Sequence, residues 1–153
     1  MELFKDFEDF VQLLYQYEVA YMVVGGYALA FHGKPRYTGD LDIWIDMTED
    51  NADKLVKVLD EFGVGSLGLS KADFLKEGYV SQIGYPPLRI DILNTIDGIS
   101  FQEAYRNKQI LKLRAVEITF IGLQDLIVNK KTSGRSQDLT DLKHLTKLTK
   151  KRQ

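Results

Sequence analysis

Apolar and polar positions along the chain follow two periods, and the switches between them draw the element map. Leu3, Phe7, Phe10, Val11, Leu14 and Tyr17 recur at helical spacing with charges between them, which predicts an amphipathic helix over 3–17. VAYMVVG (19–25) is rich in β-branched and aromatic residues and predicts a buried strand that stops at glycine. GYALAFHG then predicts a short helix and LDIWID a second strand. TEDNADKLVKVLDEFG predicts a helix capped by Thr48, with acids in its first turn and an end at Gly63. GVGSLGLS reads as a link, KADFLKEG as a short helix, and YVSQIGYPPLRIDIL as two strands joined by a Tyr-Pro-Pro turn. FQEAYRN predicts another short helix, KQILKLRAVEITFI one or two strands, GLQDLIVNK a helix, and a last helix starts at about Ser136. This order implies an α/β (α+β) fold, a mixed sheet flanked by helices. One domain is expected, with a core over about 19–121 and C-terminal helices over about 122–150.

Composition narrows the chemistry more than the fold. The 153 residues suit one core, and 44% hydrophobic with 27% charged residues marks an ordinary folded chain. There is no cysteine, and His32 and His144 are the only histidines. Disulfides and thiolate metal sites are therefore excluded, and any bound metal needs oxygen ligands. A net charge of −2 and a pI near 5.7 argue against broad nucleic-acid binding as the main task. The tail KLTKKRQ is the basic exception, and a solvated helix end explains it more cheaply than a contact to RNA or an acidic partner does. The acidic N-terminus and the lack of a long apolar run lead to the expectation of a cytoplasmic protein with no membrane partner.

The chemistry concentrates in VVGGYALAFHGKPRYTGDLDIWID, residues 23–46. On a strand, Asp40 and Asp42 share one face while Leu41, Ile43 and Ile45 share the other. Two carboxylates so placed repel each other, and a hard divalent cation such as Mg²⁺ relieves that repulsion. In LRIDIL, the apolar face of Leu88, Ile90 and Ile92 leaves Arg89 and Asp91 opposite, so Asp91 is the candidate third acid. The plainer alternative is that these aspartates are strand ends in water. Gly25 and Gly26 end a strand and open a helix, which suits either an anion on open N–H groups or close helix-to-strand packing. Trp44 shares the parity of the acids and is assigned to packing; His32, with no second histidine near it, is assigned a structural role.

Gly25-Gly26, thirteen intervening residues, Asp40-Leu-Asp42 and a later strand aspartate resemble the DNA polymerase β-type nucleotidyltransferase superfamily. Arg36 and Thr38 in PRYTGDLD are similar to the Arg-x-Thr-x-Asp-x-Asp form of its small bacterial members, among them abortive-infection toxins and antibiotic nucleotidyltransferases. Gly26 stands where many members have serine. The resemblance implies a nucleotidyltransferase fold in which Asp40, Asp42 and Asp91 bind two Mg²⁺ ions and Asp91 helps deprotonate an acceptor hydroxyl. It further implies a nucleoside triphosphate as substrate, ATP foremost, held by Gly25, Gly26, Arg36 and Thr38. DLIVNKKTSGRSQDLTDLKHL resembles the closing helices of small members, which brings Lys130 and Arg135 to the triphosphate or to a role in holding the helices together. Arg135, Asp138 and Asp141 as ordinary surface ion pairs is the alternative. The acceptor, whether small molecule, RNA end or protein hydroxyl, is left open, as is a second subunit or protein partner. The competing function is a silent or partner-dependent nucleotide-binding module of a two-protein system.

Overall fold

The computed structural model describes residues 3–34, 39–85 and 87–152. Helix α1 (Lys5–Gln16) buries Phe7, Phe10, Val11 and Leu14, the positions its spacing singles out. Strand β1 (Tyr21–Val24) is buried throughout and turns at Gly25 directly into α2 (Gly25–Phe31). Strand β2 (Asp40–Ile45) leads to α3 (Glu49–Phe62), which Thr48 caps by accepting a hydrogen bond from the Asn51 N–H at 3.2 Å. Gly63, at φ +92°, ends it in the left-handed turn that glycine adopts without a Cβ clash. The link that follows contains one 3₁₀ turn (Gly65–Leu67) before the short helix α4 (Lys71–Leu75).

β3 (Val80–Tyr85) and β4 (Leu88–Leu93) flank the Tyr-Pro-Pro turn, of which Pro86 lies outside the described residues. A short α5 (Phe101–Tyr105) leads to β5 (Gln109–Leu113) and β6 (Val116–Phe120), so the KQILKLRAVEITFI segment is two strands. Helices α6 (Leu123–Ser133) and α7 (Ser136–Arg152) follow and pack on each other.

All six strands form one sheet in the order β3-β4-β2-β1-β6-β5. The pairs β2/β4 and β1/β6 are parallel and the rest antiparallel, so the sheet is mixed, as expected. The expected face assignment on β2 holds: Leu41, Ile43 and Ile45 are fully buried core residues on the side opposite Asp40 and Asp42. Two buried asparagines fasten the frame. Asn51 bonds Ala20 N–H (2.7 Å), Ala20 C=O (3.0 Å) and Asp46 C=O (2.8 Å), tying α3 to the ends of β1 and β2. Asn94 donates to the carbonyls of Phe74 and Lys76 and accepts from Gly78 N–H, which fixes the segment after α4 against the end of β4. Each replaces backbone partners that loops would otherwise leave to water. No helix among the described residues is long and apolar enough to cross a membrane.

Candidate active site

The parallel register of β2 and β4 decides where the acids meet. Asp42 is paired with Asp91 and Asp40 with Arg89, so all four side chains stand on the same face of two adjacent strands. The three carboxylates predicted to converge are therefore neighbours across one ladder. A cleft of about 600 Å³ opens over them, and its walls include Gly25, Asp40, Asp42, Arg89, Asp91, Lys130 and Arg135. Asp91 is buried, whereas Asp40 and Asp42 are partly open to the cleft.

Gly25 shows which of its two roles the backbone imposes. Its φ is +68°, and a Cβ built on it would lie 2.1 Å from Asp42 Oδ2. Close packing is thus required here whatever else the turn does, because only a residue without a side chain lets β1 run into α2 past the Asp42 carboxylate. Gly26 is buried in the first turn of α2 and does not wall the cleft. Gly25→Ala should destabilise the protein by about 1–3 kcal/mol and displace Asp42, with at least a roughly hundredfold loss of any activity that depends on Asp42. A urea melt beside a pyrophosphate-release assay measures both.

Electrostatics make Asp42 the strained member of the trio. Burial, and then the charges of Asp91 and Asp40, push its carboxyl up to about 7, against the pull of Lys130 and Arg89. Asp40 and Asp91 are instead neutralised by one guanidinium. Arg89 donates from Nε to Asp91 Oδ1 (2.8 Å) and from one terminal nitrogen to Asp91 Oδ2 and Asp40 Oδ2 (both 3.1 Å). Those bonds and the Asp91 charge raise the Arg89 pKa above its ordinary value, so it stays cationic. Arg89 is the residue that sequence reasoning placed on the right face without giving it a role. The signal was there: an arginine two positions before a strand aspartate points the same way as that aspartate.

The C-terminal cations arrive by a second route. Lys130 is buried, and its ammonium lies 3.2 Å from both Asp138 and Asp141 on α7. Asp141 also pairs with Lys34 (3.2 Å) and accepts from Gln137 (2.9 Å), while Asp138 accepts from Ser133 and from Arg135 Nε (2.7 Å). Asp138 and Asp141 are both fully buried, so the surface-pair alternative does not hold for them. Lys130 ties α6 to α7, and it also lies in the wall of the cleft. Arg135 remains largely exposed, held by Asp138 at the cleft edge. Arg36 and Thr38 lie outside the described residues. His32 is buried, with Nε2 2.7 Å from the Ile121 carbonyl, which gives it a packing role, and Trp44 is 1% exposed and packs edge to face on Phe101.

Among the described residues no group of three acidic or imidazole side chains already stands in metal-ligating geometry. The donor set nevertheless fits a hard cation: three carboxylates, one of them resisting ionisation, with Arg89 supplying the positive charge that a metal would supply. A mixed sheet that carries Asp-x-Asp and a third aspartate on adjacent strands, with a glycine turn packed on the pair, is the arrangement of a nucleotidyltransferase. The chain belongs to a family described as "Nucleotidyltransferase of unknown function (DUF6036)", which matches residues 1–150. Solved structures share the fold. One is a Thermotoga maritima protein described as a nucleotidyltransferase (TM-score 0.60, 15% identity, 92% of this chain and 90% of that one). Another is the lincosamide antibiotic adenylyltransferase LnuA with lincomycin bound (TM-score 0.57, 16% identity, 95% and 98%). No curated protein matches the chain by sequence.

Proposed function

We propose that this nucleotidyltransferase moves a nucleoside monophosphate from a nucleoside triphosphate, ATP foremost, to an acceptor hydroxyl and releases pyrophosphate. The observation that carries the reading is the Asp42–Asp91 pairing across β2 and β4, in a cleft whose wall also holds Lys130 and Arg135. Carboxylates and fixed cations are what phosphoryl chemistry demands, since positioning and charge neutralisation supply most of its catalysis.

In this reading Asp40, Asp42 and Asp91 hold Mg²⁺, two ions by analogy with the superfamily. Bound there, the metal neutralises charge on the transferring phosphate and on the leaving pyrophosphate. The chain's own groups do the rest. Gly25 opens α2 against Asp42 and offers its backbone N–H to the triphosphate, and the superfamily resemblance adds Gly26, Arg36 and Thr38 to that contact. Lys130 and Arg135 bring positive charge to the same phosphates, and Lys130 is already fixed by two carboxylates, so it needs no reorganisation. The Asp91 carboxylate receives the proton of the attacking hydroxyl.

Asp40→Ala should abolish Mg²⁺-dependent pyrophosphate release while the melting temperature stays within a few degrees of the parent. Full activity in that variant overturns the reading. A second reading, a nucleotide-binding module without turnover, is favoured by one observation: Arg89 occupies oxygens of both Asp40 and Asp91. Calorimetric titration with each triphosphate, with and without Mg²⁺, separates the two, because the module binds nucleotide and releases no pyrophosphate.

A further inference from the structure

The acid-bearing face of β2 does not stop at Asp42. Trp44 is the next residue on it, about 7 Å further along the strand, and Asp46 follows just past the strand's end. A second cleft of about 440 Å³ opens at this point, walled in part by Trp44, Asp46, Glu77 and Phe101, and it shares Thr95 and Ile96 with the first. Its volume falls in the range of small-molecule pockets.

The first cleft sets the cations Arg89, Lys130 and Arg135 among its aspartates, whereas the charged groups that wall the second are acids alone among the described residues, Asp46 and Glu77. Its floor is aromatic: Trp44 meets Phe101 edge to face at 5.1 Å. The Trp44 indole N–H is buried and finds no acceptor among the described residues, a donor left unmet on that wall. Gln102 engages one oxygen of Asp46 at 3.1 Å and so holds the carboxylate in place.

We propose that this second cleft is the acceptor subsite and that the acceptor is a small hydroxyl compound carrying a protonated amine, which Asp46 and Glu77 receive over the Trp44–Phe101 floor. The proposal rests on the nucleotidyl-transfer reading above. In-line displacement needs the attacking and leaving oxygens on opposite sides of the phosphorus. Arg89 faces Asp40 across the ladder and the second cleft opens at Trp44, so that cation and that cleft lie on opposite sides of Asp42 along β2, which suits Arg89 to the leaving pyrophosphate. The acceptor hydroxyl oxygen forms its bond to the α-phosphorus as the bond to pyrophosphate breaks. The pyrophosphate leaves with the electron pair, and the hydroxyl proton passes to Asp91. A polyanion such as an RNA end would meet two carboxylates and is disfavoured. An acceptor pocket built within one chain also removes the need for a second subunit to complete it.

Trp44 is the sole tryptophan, so its fluorescence reports occupancy of this cleft without any need for turnover. Titration of the nucleotide-free protein with the hydroxylated amines kanamycin and lincomycin should give a saturable change that the neutral polyol trehalose and bulk tRNA do not give. Asp46→Asn combined with Glu77→Gln should weaken the amine response at least about tenfold, the loss of one favourable charge contact. No saturable response to either amine, an equal response in the double variant, or a saturable response to tRNA overturns the subsite. Amine binding with no labelled product from any triphosphate keeps the subsite and rejects the transferase reading. Labelled tRNA with a silent Trp44 keeps the transferase and rejects the subsite.

Discussion

Asn in place of Asp42 should cost at least about a thousandfold in pyrophosphate release and, in the same protein, raise the melting temperature at pH 8 when divalent cations are chelated. Both effects come from one carboxylate. In the folded chain burial and the charges of Asp91 and Asp40 lift its pKa to about 7, far above an unfolded aspartate. Between the ordinary carboxylate value and about 7, the folded state therefore holds a proton that the unfolded state has lost. Stability falls as the pH rises through that window, and the penalty is complete above it. Asn removes the penalty, a gain of about 1–3 kcal/mol, or roughly 3–10 °C for a chain of this size. Near pH 4 the variant and parent should melt together. Saturating MgCl₂ at pH 8 should reverse the order, since only the parent keeps all three acids. Calorimetric melts across that pH range check the claim, and a variant less stable than the parent at pH 8 without cations refutes it.

Lys130→Met should be the most damaging single change to the fold. Its ammonium is buried between Asp138 and Asp141, and removing it leaves two buried carboxylates short of their shared cation. Breaking such a network by deleting one partner costs about 3–5 kcal/mol, far more than the pairs are worth against water. The loss should be greatest near neutral pH. Burial alone would raise the pKa of Asp138, but hydrogen bonds from Arg135, Ser133 and Lys130 outweigh it and hold the group below the ordinary carboxylate range. Asp141 is depressed in the same way by Gln137, Lys130 and Lys34. Such groups stabilise the fold above the unfolded carboxylate pKa, and that contribution is lost as the pH falls through the folded values. Urea melts should therefore show variant and parent converging as the solution is acidified. A difference that persists unchanged into acid would mean the loss comes from packing of the lysine stem instead.

Much of this fold was legible because its elements obey single periods. The spacing of Phe7, Phe10, Val11 and Leu14 needs only a helix to make one face, and LDIWID needs only a strand to separate acids from core. The acid trio was legible for the same reason, since parity puts Asp91 opposite Ile90 and Ile92 in any strand. What parity does not give is register. That Asp42 faces Asp91, and Asp40 faces Arg89, depends on how β4 slides along β2, which nothing local to either strand fixes. Arg89 as the bridge between acids was hidden for that reason. The burial of Asp138 and Asp141 was hidden for another: α7 is strongly polar, and charges at helical spacing look the same whether they face water or a buried lysine. Arg36 and Thr38 stand on sequence alone.

The two halves of the cleft are far apart in the order of synthesis. Its acids are complete by residue 91, whereas Lys130 and Arg135 come from the helices after the sheet's last strand. A chain emerging from the ribosome thus carries all three aspartates, and the Arg89 that bridges two of them, well before it has Lys130 and Arg135. In the proposed reading, a nascent chain gains its remaining phosphate-facing cations only when α6 and α7 dock on the sheet.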